Sequence, residues 1–314
     1  MVHVSNLIFN LAKKLLSLFP PTWPFKIYNV LLRIPFLKHS MSLAIRWLTP
    51  DHIDIAEGKI IFDEGDPVMA GAISFGKYEP ETVAIFRSCL KEGMAVIDIG
   101  ANLGYFTVIA ASRVGPSGKV LAYEPDPHNF GLLERNIAAN GFRNVTAIPI
   151  ALSDRAGTRE LFFGDNQTTH SFGDKRGTGR SESVVTDTLD NSLRALGYSG
   201  VDIIKMDIEG AEPLVLEGMR ETIARNHALT IIFEFHPNAI RRLGYSPLKF
   251  LKTFKKFGFS MSVIDEDRGN CVPIDDLPAF TKSFHGKEAS KNLIANSALF
   301  NIHVPVLLQQ TNCR

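Results

Sequence analysis

The sequence predicts an α/β fold in which mostly parallel strands are buried between helices. The chain has 314 residues, of which 45% are hydrophobic and 21% charged, so it is large enough to bury a full core. Residues 95–99 form a short, nearly continuous apolar run, which is typical of a strand covered on both faces. A glycine-containing turn, a helix and a second apolar strand follow in that order. The composition also excludes disordered, collagen-like and disulfide-scaffold proteins.

The first strand, turn and helix predict a ligand site. Residues 100–104 (Gly-Ala-Asn-Leu-Gly) form the turn, and the helix runs from Tyr105 to Arg113. This arrangement points backbone N–H groups at a ligand from the amino terminus of the helix. The second strand, Val120 to Tyr123, stops at Glu124. An acid in that position is well placed to accept hydrogen bonds from both hydroxyls of a ribose.

The following segments continue the alternation of strands and helices. Asn144 to Ile150 predicts a third strand, and Thr158 to Phe163 alternates as expected for a hairpin insertion. The polar, glycine-rich residues 166–181 are either disordered or a mobile lid. The remaining predicted elements alternate and then end in two strands. In chain order they are a strand (Val201–Met206), a helix (Gly210–Asn226), a strand (Leu229–Phe233), a helix (Leu243–Phe257) and the last two strands (Phe259–Ile264 and Ala298–Val304). The basic, phenylalanine-rich helix before the last strands is interpreted as a cover for the sheet.

The turn also indicates which cofactor the site holds. A dinucleotide site has Gly-x-Gly-x-x-Gly, whereas this turn has Asn102 in place of the second glycine and Asp98 just before the first. A negative Asp98 would repel a pyrophosphate but suits a ligand with a cationic amino-acid end. The pattern therefore favours S-adenosylmethionine. A nicotinamide cofactor and a turn that binds nothing are the alternatives.

Five motifs follow one another along the chain: Val96-Ile-Asp-Ile-Gly-Ala-Asn-Leu-Gly-Tyr-Phe-Thr107, Tyr123-Glu-Pro125, Ala151-Leu-Ser-Asp154, Thr188-Leu-Asp190 and Lys205-Met-Asp-Ile-Glu-Gly-Ala-Glu212. Together they resemble the FkbM family of S-adenosylmethionine-dependent methyltransferases, over about Glu79 to Val304. The resemblance implies a Rossmann-like class I methyltransferase fold, with a seven-stranded, mostly parallel sheet between helices. It also implies O-methylation of a hydroxyl on a sugar or glycan, a polyketide or a related metabolite.

The resemblance further assigns residues to the cofactor. It places the ribose at Glu124 and the adenine amino group at Asp154. The methionine end is placed along four residues of the turn: Asp98, Gly100, Asn102 and Gly104. Tyr105 and Phe106 open the next helix, where an aromatic face near the sulfonium would be attractive, although Phe106 equally suits the core.

Acids and a histidine at the ends of two later strands predict an acceptor site. Asp207 and Glu209 follow one strand, while Glu234 and His236 follow the next. Open parallel sheets bind ligands at this edge. Lys205 interrupts the apolar strand two positions before Asp207, and it is expected to pair with one of these acids because an unpaired buried lysine is costly.

The acceptor hydroxyl needs help to lose its proton, and the sequence leaves two hypotheses open. In the first, His236 is the base, because its ordinary pKa is the most suitable, and Asp207 or Glu209 replaces it if burial raises their pKa values. In the second, Asp207 and Glu209 hold a divalent cation that binds the acceptor oxygens. No residue is assigned to a metal on spacing alone.

The first fifty residues differ in charge from the rest. They contain six basic and no acidic side chains, while the other 264 carry 28 basic and 33 acidic ones. Between Val4 and Phe19 apolar residues recur at helical spacing opposite polar ones, which predicts an amphipathic helix. It either caps the domain or contacts an anionic membrane surface. The predicted division is a helical extension, residues 1–50, and a methyltransferase domain, residues 51–314.

The remaining expectations concern partners and location. The near-balanced charge, +1, gives no reason to expect nucleic acid, so the predicted partner is a small-molecule or glycan acceptor. Three widely separated cysteines and the lack of a signal-peptide pattern predict a cytoplasmic location, with or without membrane attachment. The oligomeric state is left open. The rival functions are an NAD(P)-dependent oxidoreductase or epimerase and a non-catalytic membrane-peripheral protein.

Overall fold

The computed structural model describes residues 52–62, 67–74, 76–164, 170–172, 179–265, 269–284 and 290–297. The predicted extension at residues 1–50, most of the predicted lid at 166–181 and the predicted strand at 298–304 lie outside these residues. Their structures, the boundary near residue 51 and the membrane contact therefore stay predictions. Within the described ranges, no helix is both long and apolar enough to cross a membrane.

The chain divides into two compact units between Tyr78 and Glu79. In the first unit, strands β1 (His52–Ile55) and β2 (Gly58–Ile61) form an antiparallel hairpin, and helix α1 (Pro67–Ser74) follows.

The second unit contains the other elements. Its described strands are β3 (Ala95–Ile99), β4 (Lys119–Tyr123), β5 (Val145–Ile148), β6 (Ala151–Leu152), β7 (Gly157–Phe163), β8 (His170–Ser171), β9 (Ser181–Asp187), β10 (Ile203–Met206), β11 (Thr230–Phe235), β12 (Phe259–Asp265), β13 (Asn270–Pro273) and β14 (Lys291–Ser297). Its described helices are α2 (Pro80–Cys89), α3 (Tyr105–Val114), α4 (Pro127–Ala139), α5 (Leu189–Ala195), α6 (Glu212–Gly218), α7 (Arg220–Arg225), α8 (Pro237–Arg242), α9 (Pro247–Lys256) and α10 (Leu277–Lys282).

An eight-stranded sheet forms the centre of this unit, in the order β13-β12-β14-β11-β10-β3-β4-β5. The five strands from β11 to β5 are parallel to one another, and β14, β12 and β13 pair antiparallel beyond β11. The predicted Rossmann-like class I methyltransferase fold is confirmed. The sheet has one strand more than the seven expected, because the segment after β12 turns back and pairs with it as β13.

The direction of strand order changes between β3 and β10. After β3 the chain adds β4 and β5 on one side, whereas β10 pairs on the other side and leads to β11. In open α/β sheets this is the point where a crevice opens at the carboxyl ends of the strands. The turns after β3 and β10, which carry the predicted site residues, therefore face each other.

The core lies on both faces of the parallel strands. Ile204 and Ile231 are completely buried, as the continuous apolar runs predict. Helix α9 buries Phe250 and Phe254 against Phe233, with the rings of Phe254 and Phe233 stacked 4.7 Å apart. The basic helix is therefore a cover for the sheet, as expected.

A second sheet is inserted between β5 and β10 in the chain, with the order β6-β9-β7-β8. Strand β7 pairs antiparallel with β9 along its length and with β8 at its end. The predicted hairpin insertion is present, and part of the segment predicted as lid or disorder forms β8 and the start of β9.

Two predicted elements differ from the structure. The helix expected over residues 210–226 is split into α6 and α7 at Met219, where the backbone leaves the helical region. The preceding Gly218 packs so closely that a Cβ there would lie 2.0 Å from the Ser153 carbonyl oxygen. Glu234, expected after a strand, lies within β11, because pairing with Asn292 of β14 extends that strand.

Candidate functional site

The turn after β3 has an unusual backbone. Gly100, Asn102 and Gly104 all have positive φ angles, of 78°, 52° and 93°. A Cβ at Gly100 would lie 2.1 Å from the carbonyl oxygen of Asp207, so only glycine allows the turn to approach the end of β10. Asparagine tolerates the left-handed region, and its Oδ1 accepts a hydrogen bond of 2.7 Å from the Leu103 N–H. The chain thus leaves β3 through a tight turn that leads directly into α3.

Glu124 fixes this turn from the neighbouring strand. Its Oε2 accepts a hydrogen bond of 2.8 Å from the Asn102 N–H, and its Oε1 accepts one of 2.9 Å from the Asp126 N–H. The side chain is only 5% exposed, and burial raises the pKa of Glu124 to about 7. The carboxylate predicted to bind the ribose is therefore held rigidly and titrates near neutral pH.

Asp98 lies beneath the turn. It is 2% exposed and accepts a hydrogen bond of 2.6 Å from the Thr107 hydroxyl. Burial raises the pKa of Asp98 to about 6, although the Thr107 hydrogen bond and Lys205 act in the opposite direction. Its register partner on β10 is Lys205, so the two side chains occupy the same face of the sheet.

Lys205 is completely buried and forms the predicted pair with an acid. Its Nζ lies 3.4 Å from Asp207 Oδ2 and 4.7 Å from the centre of the Phe106 ring. Burial alone lowers the pKa of Lys205, but the surrounding carboxylates, Asp207 first, raise it to about 12. The ammonium therefore balances the acids at the ends of β3 and β10.

A cleft opens above the turn, with an empty space of about 610 Å³ that includes its open mouth. Five of the predicted site residues line it: Gly100, Asn102, Glu124, Asp207 and Glu209. The other predicted residues are not among its lining: Asp98, Gly104, Tyr105, Phe106, Asp154 and His236. Phe106 is 7% exposed and packs edge-to-face against Phe86. It therefore lies in the core, which is one of the two locations expected from the sequence.

Residues of the inserted sheet complete the cleft. Leu161 of β7, Ser171 of β8 and Phe172 line its wall. The sequence did not indicate them, because β8 is only two residues long and is too short to give a strand pattern of its own. The alternation of β7 was the only local signal.

Asp154, predicted to contact the adenine, is held by its own neighbours. Its Oδ1 accepts hydrogen bonds from Arg159 Nη2 at 2.6 Å and from Ser153 Oγ at 3.0 Å. Partial burial acts to raise the pKa of Asp154, but these hydrogen bonds hold it below its usual value. The carboxylate therefore stays charged, and its contact with the cofactor stays a prediction.

Three residues at the strand ends come together as a cluster, here called the Glu-Glu-His cluster: Glu209, Glu234 and His236. Each offers one carboxylate oxygen or ring nitrogen, and these atoms all lie within 4.8 Å of one another. His236 Nδ1 lies 3.8 Å from Glu209 Oε2. Of the two acids predicted to share a cation, only Glu209 belongs to the cluster, because Asp207 pairs with Lys205 instead.

The backbone at Glu209 is also unusual. Its φ angle is 52°, a conformation that costs energy for a residue with a side chain, and such strain concentrates at functional sites. The Ser171 hydroxyl donates a hydrogen bond of 3.3 Å to the Glu209 carbonyl, which links the inserted sheet to the cluster. Glu212, completely buried, accepts the N–H groups of Ile208 and Gly210 at 3.3 Å and braces the same turn. The sequence motif predicted no such structural role for Glu212.

Comparisons with known proteins give a consistent result. A family model described as the Methyltransferase FkbM domain matches residues 98–261. Methyltransferase sdnD of Sordaria araneosa is 28% identical, over 46% of this chain and 68% of that protein. The Hexuronic acid methyltransferase AglP of Haloferax volcanii is 25% identical, over 50% of this chain and 62% of that protein. The 2-O-methyltransferase NoeI of Sinorhizobium fredii is 24% identical, over 43% and 61%. The match therefore spans between 61% and 68% of the length of these three relatives.

Proposed function

The chain belongs to the FkbM family of S-adenosylmethionine-dependent methyltransferases, and we propose that it methylates a hydroxyl of a sugar, glycan, polyketide or related metabolite. The observation that carries the proposal is the arrangement along one sheet edge: the turn fixed by Glu124 and the Glu-Glu-His cluster lie on either side of Asp207. The names of two relatives, a 2-O-methyltransferase and a hexuronic acid methyltransferase, support a hydroxylated acceptor.

The residues of the cleft fit the cofactor. Glu124 presents a buried carboxylate at the end of β4, where ribose hydroxyls are bound in this type of fold. The absence of a side chain at Gly100 brings the turn against β10, and Asn102 continues it. When bound, S-adenosylmethionine supplies a methyl group activated by its positively charged sulfonium. The acids of the cleft favour that charge.

The protein's task is to align the acceptor and to assist the loss of its proton. Leu161 and Phe172 give the cleft an apolar wall that helps to exclude water. The Glu-Glu-His cluster supplies the polar groups that act on the hydroxyl, and these groups act together rather than through one residue. Asp207 faces the cleft while it is paired with Lys205, which gives it a positioning role.

An isotope experiment tests this function. The purified protein is incubated with metabolite extracts and S-adenosylmethionine labelled in its methyl group, and new labelled products are identified by mass spectrometry and NMR. We expect a product with the label on oxygen, as a methyl ether. A product labelled on nitrogen or carbon would contradict the proposed acceptor class. Tight binding of a nicotinamide cofactor in place of S-adenosylhomocysteine would favour the oxidoreductase alternative.

Cofactor binding is expected to strengthen as the pH rises through about 7, the pKa of Glu124. Ribose hydroxyls donate hydrogen bonds to the ionised carboxylate, so protonation of Glu124 opposes binding. Below its pKa, the affinity for S-adenosylhomocysteine should fall by up to about tenfold per pH unit. Isothermal titration calorimetry between pH 5.5 and 8.5 measures this profile.

The Glu124→Gln variant provides the comparison, because it cannot ionise. It should bind more weakly and lose the pH dependence near 7, while a shallower decline near pH 6 remains, where Asp98 titrates. Glu134→Gln, an exposed change on α4, should keep the profile of the unaltered protein. An identical profile for Glu124→Gln would show that another group controls binding.

A further inference from the structure

The donor atoms of the Glu-Glu-His cluster come from two neighbouring segments. Glu209 lies in the turn after β10, Glu234 near the end of β11, and His236 directly after β11. Strands β10 and β11 are paired in parallel, so both segments leave the sheet at the same edge. His236 is only 5% exposed, while Glu209 also lines the cleft. The cluster therefore reaches from the protein interior to the acceptor side of the cleft.

The nearby lysine offsets the charges of the cluster only in part, because Asp207, Glu79 and Asp98 share its charge with Glu234. Carboxylate oxygens of Glu209 and Glu234 lie within 4.8 Å of each other, and like charges at this distance repel. The buried ammonium of Lys205 is already 3.4 Å from Asp207 and lies over the Phe106 ring. A positive ion between the two glutamates would remove this repulsion.

A buried carboxylate oxygen of the cluster lacks a hydrogen-bond partner within the described part of the chain. Ser290 hydrogen-bonds the Glu234 carboxyl group, but Glu234 Oε2 is buried and has no hydrogen-bond partner there. Leaving a buried carboxylate oxygen unsatisfied costs free energy, on the order of 1–3 kcal/mol or more. A metal ion coordinated by this group would satisfy it.

We propose that Glu209, Glu234 and His236 bind one divalent cation of the Mn²⁺ type. Two carboxylate oxygens and one imidazole nitrogen suit such an ion, since carboxylates favour Mg²⁺ and Mn²⁺ and imidazole favours the transition metals. Three protein ligands leave coordination positions open for oxygens of the acceptor. His236 is then a cation ligand, and the second carboxylate ligand beside Glu209 is Glu234 rather than Asp207.

The role of this cation in catalysis rests on the proposed function. A hydroxyl oxygen bound to the cation loses its proton more readily. The O–H bond breaks and the proton passes to solvent water. The oxygen forms its bond to the methyl carbon as the S–C bond of the donor breaks, and the electron pair of that bond stays on sulfur. No oxidant or further reactant is required.

Cation binding is tested directly with the full chain. The protein is freed of metal by a chelator and titrated with Mn²⁺, and free Mn²⁺ is measured by electron paramagnetic resonance. We expect one Mn²⁺ per chain. Glu234→Gln and Glu209→Gln should each weaken binding at least tenfold, because loss of a direct ligand should cost no less than the ~10- to 100-fold seen for outer-shell partners. Glu217→Gln, an exposed change on α6 outside the cluster, should leave the affinity unchanged.

Thermal unfolding of each variant shows whether it is folded, and Glu209→Gln, the more accessible position, provides the test if Glu234→Gln unfolds. Absence of saturable Mn²⁺ binding up to millimolar concentration would overturn the proposal, as would equal affinities for the unaltered protein and both cluster variants. S-adenosylhomocysteine binding is measured in the same samples. If Mn²⁺ binds but S-adenosylhomocysteine does not, the proposed function is refuted and the cation site is retained. If S-adenosylhomocysteine binds but Mn²⁺ does not, the cation site is refuted and the proposed function is retained.

Discussion

A Gly100→Ala protein should lose binding of S-adenosylhomocysteine by about 100-fold or more. The added Cβ would lie 2.1 Å from the Asp207 carbonyl oxygen and 2.9 Å from a methyl carbon of Ile208, and the φ angle of 78° is itself unfavourable for alanine. Either the turn or the end of β10 must move. The turn carries the Asn102 N–H bonded to Glu124, so the carboxylate predicted to bind the ribose would move as well. A displacement of about 1 Å is enough for an effect of this size.

Gly131→Ala is the matched control. Gly131 lies inside helix α4, and a Cβ there would have no atom within 4 Å. Alanine favours a helix over glycine by about 0.5–1 kcal/mol, so this variant should be as stable as the unaltered protein or more so, with unchanged ligand affinity. Calorimetry gives the affinities, and circular dichroism shows whether both variants are folded. A folded Gly100→Ala protein with nearly normal affinity would contradict the role of the turn.

Replacing Lys205 with methionine should destabilise the protein by about 3–5 kcal/mol near pH 8. Methionine fills much of the same space, but it leaves Asp98 and Asp207 without the ammonium that faces them. The loss should become smaller below pH 6, since Asp98 has a pKa of about 6 and then takes up a proton. Urea unfolding at pH 5 and pH 8 measures the difference.

The sign of this dependence separates charge from packing. In the unaltered protein the pKa of Lys205 is raised to about 12 from 10.5, so its contribution is fully present below pH 10.5 and is lost as the pH rises through 12. Lys249→Met, an exposed change on α9, should alter stability by less than about 0.5 kcal/mol. Equal losses at pH 5 and pH 8 for Lys205→Met would show that packing, not charge, is the cause.

The elements around the first turn were predictable because their signals are local. A buried parallel strand appears in the sequence as a continuous apolar run, and residues 95–99 have this pattern. The glycine turn and the acid after the next strand follow at short range, so the positions of Gly100 and Glu124 at the cleft could be predicted. Asp207 and Glu209 followed from the same rule applied to a later strand.

The details that the sequence did not show depend on strand pairing. Glu234 was expected at this sheet edge, but its position inside β11 results from pairing with β14, which is distant in the chain. Phe172 reaches the cleft because the short strand β8 pairs with β7. The sequence did not show whether Asp207 or Glu209 pairs with Lys205, because that depends on the distances between these side chains in the folded chain. Asp98 lies beneath the turn beside Thr107, a depth that the sequence does not encode, and its contact with the cofactor stays a prediction.

The inserted sheet has a consequence for how such a protein can change over time. It is one continuous stretch of chain, residues 151–187, that lies between β5 and β10 in the sequence. Within the described residues its strands form a separate sheet that does not pair with β3, β4 or β10, so we expect substitutions in it to leave the register of those strands unchanged. The cleft wall formed by Leu161, Ser171 and Phe172 can therefore vary in sequence while the turn at Gly100 and the carboxylate of Glu124 are retained.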